Sequence, residues 1–261
     1  MWPIKKSDIF FIVCARTKTG AKEKASELEK LGVPYAIICA EKFTYPKVFY
    51  REKKGKFDAI NYAVTLVNKN TKIVCLNDVD NKIYNFNNAL QKMVETKAGI
   101  VFCKIKVADG PQRNFYALMD RIRKIMPITS SGDLMLINKN VFHQILPIPA
   151  CKTEDNYITF KAAELGYKVL FCDEAWIETK KTSTLKEESQ YKTRTVTGLY
   201  QAISLTKTQP VIRIFYLVLP FVAPLLLLQG KRGIAWITGI IQGFTSFLRG
   251  DKEGTFDPIG N

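Results

Sequence analysis

The chain has 261 residues, of which 47% are hydrophobic, and its 39 lysines and arginines against 24 aspartates and glutamates leave a net charge of +15. That length can bury a full core, so one large domain, or one domain with an appendage, is expected. The charge points to an anionic partner, and because basic residues alternate with acids instead of forming an arm, nucleic acid is disfavoured against a phosphorylated substrate or a membrane surface. Six scattered cysteines with no Cys-x-x-Cys pair, and the single histidine His143, argue against a zinc site or a disulfide framework. They read as core residues of a reducing cytosol, with His143 structural in a short surface helix. Met1 to Ser7 is too short for a signal peptide ahead of Asp8.

In chain order, Ile9 to Cys14 is a continuous apolar run, expected as a buried strand of a parallel sheet. Ala21, Ala25, Leu28 and Leu31 recur at helical spacing, with Gly32 as the stop, and Tyr35 to Cys39 is a second strand. Strand, helix and strand over some thirty residues form a βαβ unit and set the class as α/β. Val48 to Tyr50 reads as a short strand, and Arg51 to Lys56 is strongly basic. Ala59, Ile60, Ala63, Val64 and Val67 make the next helical stripe.

Ile73 to Leu76 then runs as a buried strand into Asn77-Asp78-Val79-Asp80. Two acids at the carboxyl end of such a strand repel each other and lose hydration, so a cation should offset the cost. A divalent ion with oxygen ligands fits, because Mg²⁺ or Mn²⁺ often binds through one or two carboxylates plus substrate phosphates. The alternative is an acidic turn that only ends the strand. The carboxyl edge of an open α/β sheet is where ligands bind, which favours the ion.

Phe86, Leu90, Met93 and Val94 predict a helix, Gly99 to Val107 a strand, and Phe115, Leu118, Met119, Ile122 and Met126 another amphipathic helix. Leu134 to Ile137 is a strand. Thr153 can cap a helix that Gly166 closes, and Tyr167 to Cys172 is the last clear core strand. Glu154 and Asp155 in that helix's first turn suit the macrodipole whether or not they react. In the helix-prone stretch 187–202, Gly198 beside Arg194 suggests a close approach, with a phosphate as one candidate.

These residues carry a resemblance. Gly55-Lys56 with Ala59 and Asn61, Asp78-Val79-Asp80, Gly132-Asp133, Glu154-Asp155 with Gly166 to Val169, and Arg194 with Gly198 and Gln201-Ala202 stand in the order and approximate spacing of glycosyltransferase family 2. Over roughly residues 8–205 the chain resembles its membrane-associated branch, which includes cellulose-synthase-like and polyprenyl-phosphate sugar transferases. The resemblance implies a GT-A fold (Rossmann-like, a mostly parallel sheet with flanking helices) and an inverting transfer from a nucleotide sugar with a divalent metal, Mg²⁺ or Mn²⁺. It implies metal binding by Asp80 and Asp78, donor contacts from Lys56, Asp78 and Glu41, and catalysis by Asp155 as general base, with Glu154 beside it and Arg194 at the leaving diphosphate. Gly132 and Asp133 fall on the acceptor side. Gln190 and Arg194 are one residue further apart than in Gln-x-x-Arg-Trp, and no Trp follows, which points to single-sugar transfer.

Ile214 to Leu228 is almost wholly apolar and Ile234 to Leu248 nearly so. Taken from Val211, the first is long enough for about 27 Å of helix, close to a hydrocarbon core. The expected organisation is therefore a GT-A domain over 1–205, hydrophobic membrane helices over 206–249, as a tilted hairpin or lying partly in the interface, with a soluble core hairpin as the alternative, and a polar tail over 250–261. The expected partners are a nucleotide-sugar donor, a lipid-linked or glycan acceptor and a membrane, with the catalytic domain cytoplasmic. A GT-A-like nucleotidyltransferase and an inactive membrane-bound scaffold are the alternatives.

Overall fold

The structure is a computed structural model and describes residues 4–250 apart from 53, 109–111 and 127–128. Beyond Gly250, the expected polar tail lies outside the described residues. Eight strands form one sheet in the order β3-β2-β1-β4-β7-β6-β8-β5. Its first half is built of β1 (Ile9–Ala15), α1 (Lys18–Leu31), β2 (Tyr35–Cys39), β3 (Val48–Tyr50), α2 (Lys56–Ala63) and β4 (Ile73–Asp78). Here β1, β2, β3 and β4 run parallel, as the βαβ reading requires. Thr17 caps α1 through its hydroxyl, and Gly32 ends it in the left-handed conformation at φ 68°.

The second half holds β5 (Asn81–Tyr84), α3 (Phe86–Thr96), β6 (Ile100–Val107), α4 (Arg113–Ile125), β7 (Leu134–Asn138), α5 (Lys139–Ile145), α6 (Glu154–Glu164) and β8 (Val169–Thr179). Two features were not foreseen. β5 is a short strand directly after the acid pair, antiparallel to β8, and β8 extends well past Cys172. β7 inserts antiparallel between β4 and β6, which brings its first residues to the carboxyl end of β4.

Both faces of the sheet are covered, so successive residues of one strand enter different cores. Phe10 and Ile12 pack on the side of α2, α5 and α6, whereas Ile9, Phe11 and Val13 pack on the side of α1 and α3. All six cysteines are free, and five are buried. His143 is exposed on α5.

The chain continues through α7 (Leu185–Ser204), α8 (Pro210–Val222), a 3-10 turn run over Ala223–Gln229, and α9 (Lys231–Leu248). Thr184 and Glu187 close a capping box at the start of α7. α9 lies along α7. A Cβ on Gly239 would fall 2.5 Å from that of Lys192, and one on Gly243 2.7 Å from the Thr193 carbonyl. Side chains there would hold the two helices apart. α8 buries Ile212 and Tyr216 and leaves Ile214, Leu217 and Phe221 exposed. Among the described residues, Pro210–Gln229 is the one helical run long and apolar enough to cross a membrane, with mean hydropathy 2.4 and 17% of its most apolar window buried.

Candidate active site

The carboxyl ends of β1 and β4 lie side by side, with Cys14 in register with Asp78. Because β7 is reversed, Asp133 enters beside them, and its carbonyl accepts from the Asp78 amide at 3.4 Å. Buried Asn77 and Asn81 clamp the turn between them: Asn77 Nδ2 donates to Asn81 Oδ1 at 2.8 Å and to the Asp133 carbonyl, and Asn81 Nδ2 to that same carbonyl at 3.0 Å. From α1, the fully buried Lys24 donates to the Asn81 carbonyl at 2.6 Å. None of these three was singled out from the sequence. Lys24 left a trace there, as a charge on the same α1 face as Ala21, Ala25 and Leu28.

Lys56, the first residue of α2, reaches into the centre. Its Nζ lies 2.6 Å from Asp78 Oδ1 and 2.9 Å from Glu154 Oε1. Burial alone would depress its pKa, but the two carboxylates outweigh it and hold Lys56 well above the usual lysine value. Gly55 makes this entry possible: it caps α2 at φ 119°, a conformation that disfavours a side chain. Lys56→Met would leave two facing acids without their common cation. We expect a loss of about 3 kcal/mol, read as a lower urea midpoint with an unchanged slope.

Asp155, next to Glu154 at the start of α6, meets Lys56 at Gly132. Its Oδ2 accepts from the Gly132 amide at 3.0 Å, and its Oδ1 from the Asn156 amide at 2.8 Å. A Cβ on Gly132 would sit 3.3 Å from both Asp155 Cβ and Lys56 Nζ, so the glycine lets all three meet. Burial first, then the Glu154 charge, raises the Asp155 pKa to about 6, against the lowering pull of Lys56. Asp78 is also raised, by burial and then Asp133, with Lys56 and Lys181 opposing. For Asp133 burial works upward too, but the Lys181 ammonium at 2.7 Å and the Ser131 hydroxyl prevail and lower it.

Lys181 was missed, since nothing distinguishes it from neighbouring Lys180 in the sequence. Asp80 is exposed. Among the described residues no three His, Cys, Asp or Glu side chains converge on a metal-binding point. The acids at hand are Asp78, which spends one oxygen on Lys56, and the exposed Asp80. Such a pair fits a hard cation held jointly with phosphate oxygens, not a closed protein cage.

The other predicted residues are placed as follows. Glu41 is exposed after β2 and accepts the Lys18 amide at 2.8 Å, at the start of α1. Arg194 is half-buried, one turn before Gly198 on α7. The close approach expected at Gly198 is real, but it is to protein: a Cβ there would lie 2.6 Å from Thr153 Cγ2 and 2.8 Å from the Thr153 amide nitrogen. That contact, not a phosphate, explains the glycine. Thr153 is the N-cap of α6, yet its buried hydroxyl makes no capping bond.

The mixed eight-stranded sheet with helices on both faces is a GT-A fold, as its likeness to solved structures shows. The structure is similar to the mannosyltransferase PcManGT from Pyrobaculum calidifontis in complex with GDP-Man and Mn²⁺, with a TM-score of 0.70 and 15% identity over 92% of this chain and 87% of that one. It is also similar to GalNAc-T7 with UDP, GalNAc and Mn²⁺, at TM-score 0.56 and 11% identity over 94% of this chain and 58% of that one. No protein-family model matches the sequence, and no curated protein sequence does.

Proposed function

We propose that the protein is an inverting, metal-dependent glycosyltransferase that moves a single sugar from a nucleotide-sugar donor to a lipid-linked or glycan acceptor at the cytoplasmic membrane face. The observation that carries this reading is Asp155: a carboxylate with its pKa raised to about 6, held by the Gly132 amide in the cleft where Lys56 joins Asp78 and Glu154. A base of that strength, positioned by backbone, suits removal of a hydroxyl proton near neutral pH. The nucleotide sugars and Mn²⁺ in the two similar structures support the same class of donor and metal.

In this mechanism Asp155 takes the acceptor hydroxyl's proton as the oxygen attacks the anomeric carbon, on the face opposite the departing diphosphate. Lys56, Lys181 and Arg194 supply positive charge on the donor side. Asp80 and Asp78 would hold Mg²⁺ or Mn²⁺, which neutralises diphosphate charge when bound. Glu41 is assigned to the donor nucleoside. Gly132 borders the acceptor side by shaping the base, and Asp133, assigned with it, lies at the boundary with the donor side, where it pairs with Lys181.

A panel of nucleotide sugars with Mn²⁺ tests the reading. One donor should raise the melting temperature in a metal-dependent way, adding about 2.7 kcal/mol at a hundred times its Kd. Turnover should then release a nucleoside diphosphate and an inverted anomer. Release of pyrophosphate would make the protein a nucleotidyltransferase, and the absence of any donor effect would leave a scaffold.

Membrane attachment rests on the outer face of α8 and the turn run after it, where Phe221 is 77% and Leu228 88% exposed. With Ile214, Leu217 and Leu225 they form an apolar surface of the kind that marks an interaction site. Exposed Lys207, Lys231 and Arg232 flank it in the chain, matching anionic headgroups. One face of α8 is packed on the domain, which favours lying in the interface over a free hairpin. The protein should float with phosphatidylglycerol vesicles and poorly with phosphatidylcholine. Phe221→Asp should abolish flotation without lowering stability; retained flotation would remove this surface as the anchor.

A further inference from the structure

Glu188 is a fully buried carboxylate on α7 that the mechanism does not use. Four side chains converge on it. Gln112, just before α4, donates Nε2 to Oε2 at 2.6 Å, and the Thr182 hydroxyl donates to the same oxygen at 2.7 Å. Trp236 of α9 donates Nε1 to Oε1 at 2.8 Å, and Lys192 Nζ lies 3.8 Å from that oxygen. An anion buried this deeply is tolerated only when its oxygens are satisfied, and hydrogen bonds to an ionised acceptor are about twice as strong as neutral ones.

The chain order gives the network its consequence. Thr182 directly follows Lys181, the ammonium that pairs with Asp133 in the cleft. Beyond Thr182, the Ser183 and Thr184 amides are held by Glu187 at 2.7 and 3.1 Å. The segment between β8 and α7 is thus pinned at each residue from Lys181 to Thr184. Glu188 supplies the one pin that also reaches α9.

We propose that Glu188 is a positioning residue that fixes Lys181 at the diphosphate side of the cleft, with Trp236 of α9 completing the clamp. The proposal rests on the cleft being a donor diphosphate site. It makes α9 part of what orders the catalytic edge. Glycines 239 and 243 allow the helix approach on which the Trp236 bond depends.

Glu188→Ala strips the partner from several buried donors and is a poor probe, because it can fail to fold. Thr182→Val removes one donor and keeps the shape, and Trp236→Phe removes the indole donor at the cost of a small cavity. In the full-length protein without nucleotide, hydrogen exchange of the amides at 180–184 should quicken about 10- to 100-fold in both variants, the factor expected for one lost bond to a charged group. Binding of UDP and GDP with Mn²⁺, each measured by calorimetry, should weaken by a similar factor for whichever the wild type binds. That loss should vanish when Thr182→Val is made on a Lys181→Met background, as coupled residues require.

Unchanged exchange at 180–184 would overturn the clamp. An equal loss of diphosphate affinity with and without Lys181 would show a general structural effect and overturn it as well. If the wild type binds neither diphosphate, the donor-site reading fails, while the exchange measurement still judges the clamp by itself.

Discussion

Asp155→Asn should lower sugar transfer by about 10²- to 10⁴-fold, the usual share of a general base, while leaving metal-dependent nucleoside diphosphate binding intact. The two effects separate because Asp155 contacts the Gly132 and Asn156 amides, not Asp78 or Asp80. The asparagine has one acceptor oxygen where the carboxylate uses two, so one of those contacts is lost, while a costly buried charge also disappears. The net stability change should stay within about 1 kcal/mol.

The pH profile follows from the same residue. With its pKa at about 6, the wild-type base is protonated in acid, and transfer at pH 5 should be about tenfold below the plateau. The folded pKa lies above the usual aspartate value of 3.8, so between roughly pH 4 and 6 the native state binds more protons than the unfolded chain. This group's contribution to stability therefore falls as pH rises through that window. Asp155→Asn should remove that dependence. Full turnover in the variant, or loss of nucleotide binding along with turnover, would take the role of base away from Asp155.

Asp80→Ala should have the opposite signature. Nucleoside diphosphate binding in Mn²⁺ should weaken about 100-fold or more, since losing a direct ligand costs at least as much as losing an outer partner of a metal site, and transfer should fall with it. Since Asp80 is exposed, the melting temperature without metal should not move. Calorimetric titration with and without Mn²⁺ reads both points. Binding that is metal-independent in the wild type, or unchanged in the variant, would sink the assignment of Asp80.

Much of this was legible in the chain. Apolar runs of β-branched residues named β1, β2, β4, β6 and β7, because strands buried on both faces leave few polar residues. Helical stripes with Gly32 and Gly166 as stops named α1 and α6 for a similar reason. The short β5 was hidden: Asn81 to Tyr84 carries neither a clean alternation nor an apolar run, and its pairing with β8 supplies the order that its own sequence lacks.

The sequence by itself determined the fold class and the acid pair at the end of β4, since periodicity reports which side chains leave water. It also marked Lys56, Glu154 and Asp155 through ordered motifs, without showing that one ammonium lies between Asp78 and Glu154. Only the tertiary structure decided which polar groups meet. The reversal of β7 carries Asp133 to Asp78, and the length of β8 carries Lys181 to Asp133. Hydropathy grouped residues 234–248 with the apolar tail, yet packing sets Gly239 and Gly243 against α7 and the Trp236 indole on Glu188. Hydropathy records how apolar a segment is; what covers it depends on contacts between residues far apart in the chain.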